Sequence, residues 1–219
     1  MSLDLLQESA ATNLPMIDGD LQWWPRIELG QSSEQVLSQL IDTCAWRQDE
    51  ITVYGKAYRQ PRLSAWYGDL GYSYSGIRLE PMPWSPLLLD IKTRVQDLVG
   101  HEFNSVLLNC YRDQNDKMGM HSDDERELGP QPVIASLSIG ETRSLLFRHK
   151  TRKDLKTVKL ALPSTSLLLM RGDTQRHWRH GINPERNHCG ARVNLTFRSI
   201  IPTTAATGGT SQSSPGGST

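Results

Sequence analysis

The sequence predicts a mostly β fold of the α+β class, a sandwich or barrel with flanking helices bracing one side. The first observation is a series of short β-rich runs of alternating residues, separated by Gly, Pro and Asp or Asn signals. Such a series is typical of a sandwich or barrel. The second observation is a pair of helical patterns upstream of it. The runs cover residues 105–111, 133–139, 144–148, 157–162, 166–170 and 192–200.

Two helices are predicted before these strands. Ser32 with Gln35 forms a capping-box pattern, and apolar residues then recur at helical spacing. Ser85 precedes Pro86, which suits the first helical position, and Gly100 follows the last apolar residue. Both apolar stripes predict faces that pack against the core.

The chain of 219 residues is long enough for one domain with a proper core, and no linker or repeat interrupts it. We predict a single domain over residues 26–202. Residues 1–25 are expected to be loosely ordered, and residues 203–219, rich in Thr, Ser and Gly, to form a disordered tail. Three irregularly spaced cysteines indicate a reducing compartment. Without a signal-peptide or membrane-spanning pattern, we expect a cytoplasmic protein, or a nuclear one in a eukaryote.

The charge balance excludes any argument from net charge. Lys and Arg total 24, as do Asp and Glu, so nothing global favours a nucleic-acid or membrane partner. A locally basic groove stays open, because residues 143–159 contain seven Lys or Arg residues. A run of this kind is more often the solvated surface of a hairpin.

The strongest chemical signal is a His-x-Asp pair, His121 and Asp123. Side chains alternate along an extended segment, so both would point to one face and could reach one metal ion. A further His would complete the two-His, one-carboxylate set that is typical of non-haem Fe(II) oxygenases. His177 and His180 are both candidates. Position favours His180, which directly precedes Gly181 and a turn, but composition leaves the choice open.

Two predicted strands offer polar faces that suit a dicarboxylate. Alternation puts Arg192, Asn194 and Arg198 on one face of the last strand, where two guanidiniums would repel unless an anion lies between them. Asn109 and Tyr111 share a face of the first strand and could donate further hydrogen bonds. The alternatives are an exposed polar edge strand and a self-satisfied Asn–Tyr pair. A zinc hydrolase also fits two His and one carboxylate, but it has no need to hold a dicarboxylate.

Five motifs in order resemble the AlkB family, and within it the branch that repairs alkylated DNA bases. They read HSDDEREL from His121, IASLSIG from Ile134, LFRHK from Leu146, HWRH from His177 and RVNLTFR from Arg192. The resemblance covers about residues 53–202. It implies a double-stranded β-helix (jelly roll) with its core at about residues 104–202 and a base-lid region at about residues 51–80. It also implies Fe(II) held by His121, Asp123 and His180, with 2-oxoglutarate and O2 as co-substrates.

Motif matching within this resemblance extends to both substrates. Arg192, Asn109 and Tyr111 would hold the distal carboxylate of 2-oxoglutarate, while Arg198 and Asn194 would lie near its C1 end. Tyr72 and Tyr74 match positions lining the pocket for a flipped base, and Glu125 matches the residue that reads its exocyclic amine. Tyr54 would be the wedge that enters the space left by that base. The plain alternatives are core or hairpin tyrosines and a solvated loop carboxylate.

The implied activity is oxidative demethylation of 1-methyladenine and 3-methylcytosine in DNA, with RNA as a further substrate, releasing formaldehyde, succinate and CO2. The expected partner is alkylated DNA, bound by a monomer with no membrane involved. An oxygenase acting on RNA bases or a protein side chain stays an alternative, as does a non-catalytic module that binds damaged bases. Strand preference stays open. The candidate phosphate contacts are Arg143, Arg148, Lys150, Arg152 and Lys153.

Overall fold

The computed structural model of the chain describes residues 10–53, 56–69, 72–74, 77–79 and 81–201. It is mostly β with few helices, which confirms the predicted fold class. The helices are α1 (Ser33–Thr43), α2 (Pro86–Val99) and α3 (Thr174–His177), and Arg126–Leu128 forms a 3-10 turn. The strands are β1 (Thr12–Leu14), β2 (Asp20–Trp24), β3 (Glu50–Val53), β4 (Lys56–Arg59), β5 (Leu63–Gly68), β6 (Tyr72–Tyr74), β7 (Ile77–Leu79), β8 (Ser105–Tyr111), β9 (Met118–His121), β10 (Ile134–Gly140), β11 (Arg143–His149), β12 (Val158–Leu162), β13 (Leu167–Arg171), β14 (Trp178–Ile182) and β15 (Arg192–Arg198).

Two antiparallel sheets form the centre of the molecule. The larger has the order β1-β2-β13-β10-β15-β8-β5, and the smaller has the order β12-β11-β14-β9. Tyr111 and Met170 of the larger sheet and Phe147 and Trp178 of the smaller belong to one buried apolar cluster. The two sheets therefore face each other, as in a jelly roll. The hairpins β3-β4 and β6-β7 form separate two-stranded sheets.

The other face of the larger sheet packs against the two long helices. Leu40 of α1, Ile91 of α2 and the three apolar residues of β15 lie in one buried cluster. Burying a side chain such as Leu40 stabilises the fold by about 1.5–3 kcal/mol. Alternation along β15 then leaves Arg192, Asn194 and Arg198 on the face between the sheets, as the sequence predicts.

Local signals set the ends of both long helices. Ser32 Oγ accepts the Gln35 N–H, and the Gln35 side chain accepts the Ser32 N–H, which completes the capping box. Ser85 caps α2, and Pro86 occupies its first turn. Gly100 ends α2 with φ +65°, a left-handed conformation that only glycine adopts without steric cost. Both predicted helices are present.

Several strands were not predicted, because pairing with neighbours rather than residue pattern stabilises them. β2 pairs with β13 in the larger sheet, and its Leu21 and Trp24 are buried, although residues 1–25 were expected to be loosely ordered. Its sequence DLQWW lacks alternation. β9 and β14 are short and are interrupted by Gly and His, yet they carry His121 and His180.

Some predictions fall on positions that the structure does not describe. Tyr54 and residues 203–219 lie outside the described residues. Tyr72 and Tyr74 belong to β6, but only their main chain is described. In the described part of the chain, no helix is long and apolar enough to cross a membrane.

Candidate metal and co-substrate site

Three side chains from two adjacent strands converge between the sheets. His121 ends β9 and is the direct cross-strand partner of His180 in β14, so both rings project from the same face. Their ring centroids are 4.4 Å apart. The Asp123 carboxylate lies 3.9 Å from His121 Nε2 and 3.7 Å from His180 Nε2. The structure thus joins His180, and not His177, to the His121–Asp123 pair.

A hydrogen bond orients His121 for a metal ion, whereas Asp123 Oδ2 and His180 Nδ1 are buried without a hydrogen-bond partner among the described residues. His121 Nδ1 lies 3.0 Å from the Gly119 carbonyl, which can only accept, so Nδ1 carries the proton and Nε2 is free to ligate. Asp123 is 1 % exposed, and its Oδ2 has no hydrogen-bond partner among the described residues. Burying a bare carboxylate oxygen is costly, and a cation at this point would remove the cost. Two His and one carboxylate fit an Fe(II) site with open positions.

The surroundings of the site keep Asp123 and His180 deprotonated. Burial raises the pKa of Asp123, but Arg198 and the two His residues outweigh burial and lower that pKa to about 2. Arg198 Nη2 donates to Asp123 Oδ1 at 2.7 Å, which leaves Oδ2 for the metal. Burial lowers the pKa of His180 to about 3, so its imidazole is neutral at physiological pH. Metal binding near neutral pH therefore requires no proton release from Asp123 or His180.

A second group of possible ligands, Asp18, His149 and His177, does not suit a metal ion. His149 Nδ1 accepts the main-chain N–H groups of Thr151 and Arg152, at 3.2 and 2.9 Å. A neutral His149 must therefore carry its proton on Nε2, which faces Asp18 Oδ2 at 3.3 Å. His177 stacks on the His149 ring, with centroids 5.7 Å apart. This group is a hydrogen-bonded pair with a stacked neighbour.

A buried arginine lies in the same cavity as the metal ligands. Arg192 is 1 % exposed, and burial lowers the pKa of its guanidinium to about 10. Its Nη2 donates to Ser138 Oγ at 2.8 Å, whereas Nε and Nη1 have no partner among the described residues. The Tyr111 ring centroid is 5.2 Å from its Cζ. A buried cation with two unused donors fits a bound carboxylate.

The remaining polar residues of the cavity differ in how far they are already engaged. Asn109 Oδ1 accepts from Arg62 Nε at 2.8 Å, which leaves the Asn109 amide hydrogens for the cavity. Asn194 donates to Ser136 Oγ and Leu137 O and accepts from Thr196, so it braces the cavity wall. Arg62 has no sequence signal, since a lone arginine next to a proline does not predict burial.

The comparisons with known proteins agree with this geometry. Residues 21–198 match the model of the 2OG-Fe(II) oxygenase superfamily. The chain is 44% identical over 162 residues to DNA oxidative demethylase ALKBH2 of Mus musculus, covering 70% of this chain and 68% of that protein. The chain belongs to the AlkB family of these oxygenases. Its cofactors are accordingly Fe(II), 2-oxoglutarate and O2, and the unpartnered atoms of Asp123 and Arg192 suit the first two.

A further relative and a solved structure extend the AlkB-family comparison. The human alpha-ketoglutarate-dependent dioxygenase alkB homolog 3 is 42% identical over 180 residues, which is 78% of this chain. The chain spans only 63% of that relative's length. The structure of OsALKBH1 matches 87% of this chain and all of its own, with a TM-score of 0.60 at 18% identity. At that identity the likeness shows the fold alone.

The residue predicted to read the base and the basic residues predicted to contact phosphate differ in how they are placed. Glu125 follows Asp123 by two residues and directly precedes the 3-10 turn. Arg143 was expected to contact phosphate, but it is 1 % exposed and donates to the carbonyls of Asp113, Asp116 and Asn183. That expectation is wrong, because Arg143 follows the inward alternation of β11 together with Leu145 and Phe147. Lys150 and Arg152 are paired with Asp124 and Asp154, whereas Arg148 and Lys153 are exposed.

Proposed function

We propose that this protein removes alkyl groups from nucleic-acid bases by oxidative demethylation, with 1-methyladenine and 3-methylcytosine in DNA as its substrates. The observation that carries the proposal is the buried Arg192, whose unused N–H groups lie in the same cavity as His121, Asp123 and His180. A site that holds both a metal and a dicarboxylate suits 2-oxoglutarate as the source of reducing electrons. The relatives named as demethylases support the choice of substrate.

Bound Fe(II), O2 and 2-oxoglutarate supply the oxidation of the N-methyl carbon, which leaves as formaldehyde while succinate and CO2 form. The protein's own residues orient these groups. His121, Asp123 and His180 would hold the metal, since two His and one carboxylate suit Fe(II). Arg192 holds the distal carboxylate, with Tyr111 and Asn109 as further donors. Arg198 and Asn194 serve the C1 end indirectly, by holding Asp123 and the cavity wall.

The methylated base must lie beside the metal, and Glu125 is the side chain that we assign to read it. A carboxylate accepts the exocyclic N–H of adenine or cytosine, and it also favours the cationic ring that methylation creates. Because Glu125 is two residues from Asp123, a base held by Glu125 would lie close to the residues that would hold the metal. Tyr72 and Tyr74 are proposed to stack on the flipped base and Tyr54 to fill its place in the duplex.

We assign binding of the DNA phosphates to the outer face of the smaller sheet. Arg148 of β11 lies directly opposite Arg179 of β14, and both are exposed. Like charges at directly opposed positions destabilise a sheet, and a phosphate between them reverses the sign of that interaction. Phe147 and His180, their neighbours along the chain, point inward, so the arginines flank the cavity from outside.

A monomeric state and a cytoplasmic or nuclear location stay predictions of the sequence.

The test is mass spectrometry of oligonucleotides that carry one 1-methyladenine, as single-stranded DNA, double-stranded DNA and RNA. Each is incubated with Fe(II), in the presence and absence of 2-oxoglutarate. Loss of the methyl group from DNA only when 2-oxoglutarate is present is the expected result. Conversion of 2-oxoglutarate without loss from any of the three would show an oxygenase with another substrate, such as a protein side chain.

A further inference from the structure

Residues 122–124 carry the carboxylate ligand, but no strand pairing holds them. The β9-β14 ladder pairs His121 with His180 and ends there. In the part of the chain that the structure describes, no main-chain to main-chain hydrogen bond joins residues 122–124 to another segment. The position of the ligand therefore depends on side-chain bonds. Arg198 of β15 holds the Asp123 carboxylate, and the remaining bonds lead to α3 and to the first residue of β14.

Gln175 of α3 makes the bond nearest to the metal ligand. It is 1 % exposed, and its Oε1 accepts the main-chain N–H of Asp123 at 3.0 Å. An N–H group can only donate, so chemistry fixes which end of the amide faces Asp123. The amide nitrogen faces Met170 Sδ at 3.5 Å, which is a weak acceptor.

Two further bonds hold the residues on either side of Asp123 to the same segment. Ser122 Oγ donates to the Trp178 carbonyl at 3.0 Å. Lys150 Nζ donates to Asp124 Oδ2 and to the Gln175 carbonyl, both at 2.8 Å. Gln175 belongs to α3 and Trp178 begins β14, so these bonds hold residues 122–124 to the part of the chain that carries His180.

We propose that Gln175 is a positioning residue that sets the Asp123 carboxylate at the correct distance from the two histidines, so that the metal ligands form one preorganised unit. The Gln175–Asp123 bond fixes the ligand's main chain, and the bonds of Ser122 and Lys150 prevent the neighbouring residues from rotating away. Partners that orient a ligand in this way are worth 10- to 100-fold in metal affinity. The inference rests on the proposed metal site, but it does not depend on the identity of the substrate.

The test compares three variants of the full chain by titration with Mn(II) and by the visible absorption spectrum of bound Co(II). Gln175→Met keeps the size of the side chain but removes the acceptor, and Gln175→Glu keeps an oxygen there. Thr174→Val is the matched control, because the equally buried Thr174 bonds to Asp20 and Arg171 and makes no bond to residues 122–124. Melting temperatures of the metal-free variants measure any general loss of stability.

We expect Gln175→Met to weaken Mn(II) binding by about 10-fold or more and to alter the Co(II) spectrum. We expect Gln175→Glu to restore most of the affinity, and Thr174→Val to leave affinity and spectrum unchanged even where its melting temperature falls. Mn(II) affinity and a Co(II) spectrum equal to wild type in Gln175→Met would overturn the proposal, as would equal losses in Gln175→Met and Thr174→Val. Failure of the wild-type protein to bind Mn(II) would instead contradict the metal site itself.

Discussion

Replacing Arg192 with methionine separates two effects of this buried cation, the destabilisation of the fold and the binding of 2-oxoglutarate. Burial lowers the pKa of Arg192 from 12.5 to about 10. Without 2-oxoglutarate, the charged guanidinium is therefore less favourable in the folded protein than in the unfolded chain, although it stays charged near neutral pH. At 1.36 kcal/mol per pKa unit, that destabilisation is on the order of 3 kcal/mol. Methionine removes it, but it also loses the bond to Ser138 Oγ and the contact with the Tyr111 ring, together worth about 2 kcal/mol.

The net expectation is a metal-free variant that is more stable than wild type by about 1 kcal/mol, which raises the melting temperature by about 2–4 °C in a domain of this size. The same variant should bind 2-oxoglutarate more weakly than wild type. Two charge-assisted hydrogen bonds at about 1.5 kcal/mol each amount to a roughly 150-fold loss in affinity. The assays are thermal unfolding and isothermal titration with 2-oxoglutarate, with Mn(II) in place of Fe(II) to prevent turnover.

Arg143 supplies the matched contrast. It is buried to the same 1 %, but its guanidinium donates to three main-chain carbonyls and lies 3.5 Å from the Glu185 carboxylate. Arg143→Met should therefore destabilise the fold by about 3 kcal/mol or more, because the carbonyls lose their donors. If Arg192→Met destabilised the metal-free protein as strongly as Arg143→Met and bound 2-oxoglutarate within threefold of wild type, the carboxylate role of Arg192 would be refuted.

Three further outcomes follow from the site. His180→Ala should abolish Mn(II) binding in a calorimetric titration while His177→Ala retains it; the reverse pattern would show that the wrong histidine was assigned. The folded state keeps His180 neutral down to a pH of about 3, whereas the unfolded chain binds a proton below about 6.5, so the metal-free protein should lose stability on acidification through this window. Melting temperatures measured in a chelator should show that loss, and the slope should flatten in His180→Phe. Arg179→Glu should weaken binding to methylated DNA and reduce its salt dependence, with the exposed Arg26→Glu, which is not a candidate phosphate contact, as the control; equal effects of both would argue against phosphate binding by Arg148 and Arg179.

Alternation made much of the site predictable. A strict period of two along β15 and β8 is enough to gather Arg192, Arg198 and Asn109 on one face, because both strands are fully paired and one face must meet the helices. The same rule could have placed Arg143. The predicted strand began at residue 144, and starting it one residue earlier puts Arg143 in register with Leu145 and Phe147.

Other parts of the site have no signal in the sequence. Arg62 and Gln175 act through contacts with residues 47 and 52 positions away, and nothing local marks either as buried. The choice between His177 and His180 depended on whether residues 178–182 form a strand. The sequence WRHGI has neither alternation nor length, and only its pairing with β11 and β9 makes it one.

We propose that the cavity of Asp123 and Arg192 couples 2-oxoglutarate turnover to base repair. The most direct measurement counts succinate formed and 1-methyladenine lost in the same reaction, for wild type and for Asp123→Ala. We expect close to one succinate per repaired base in wild type and neither product in Asp123→Ala, whose circular dichroism spectrum should be unchanged. Base repair that continues in Asp123→Ala, or that proceeds in wild type without succinate, would contradict this coupling.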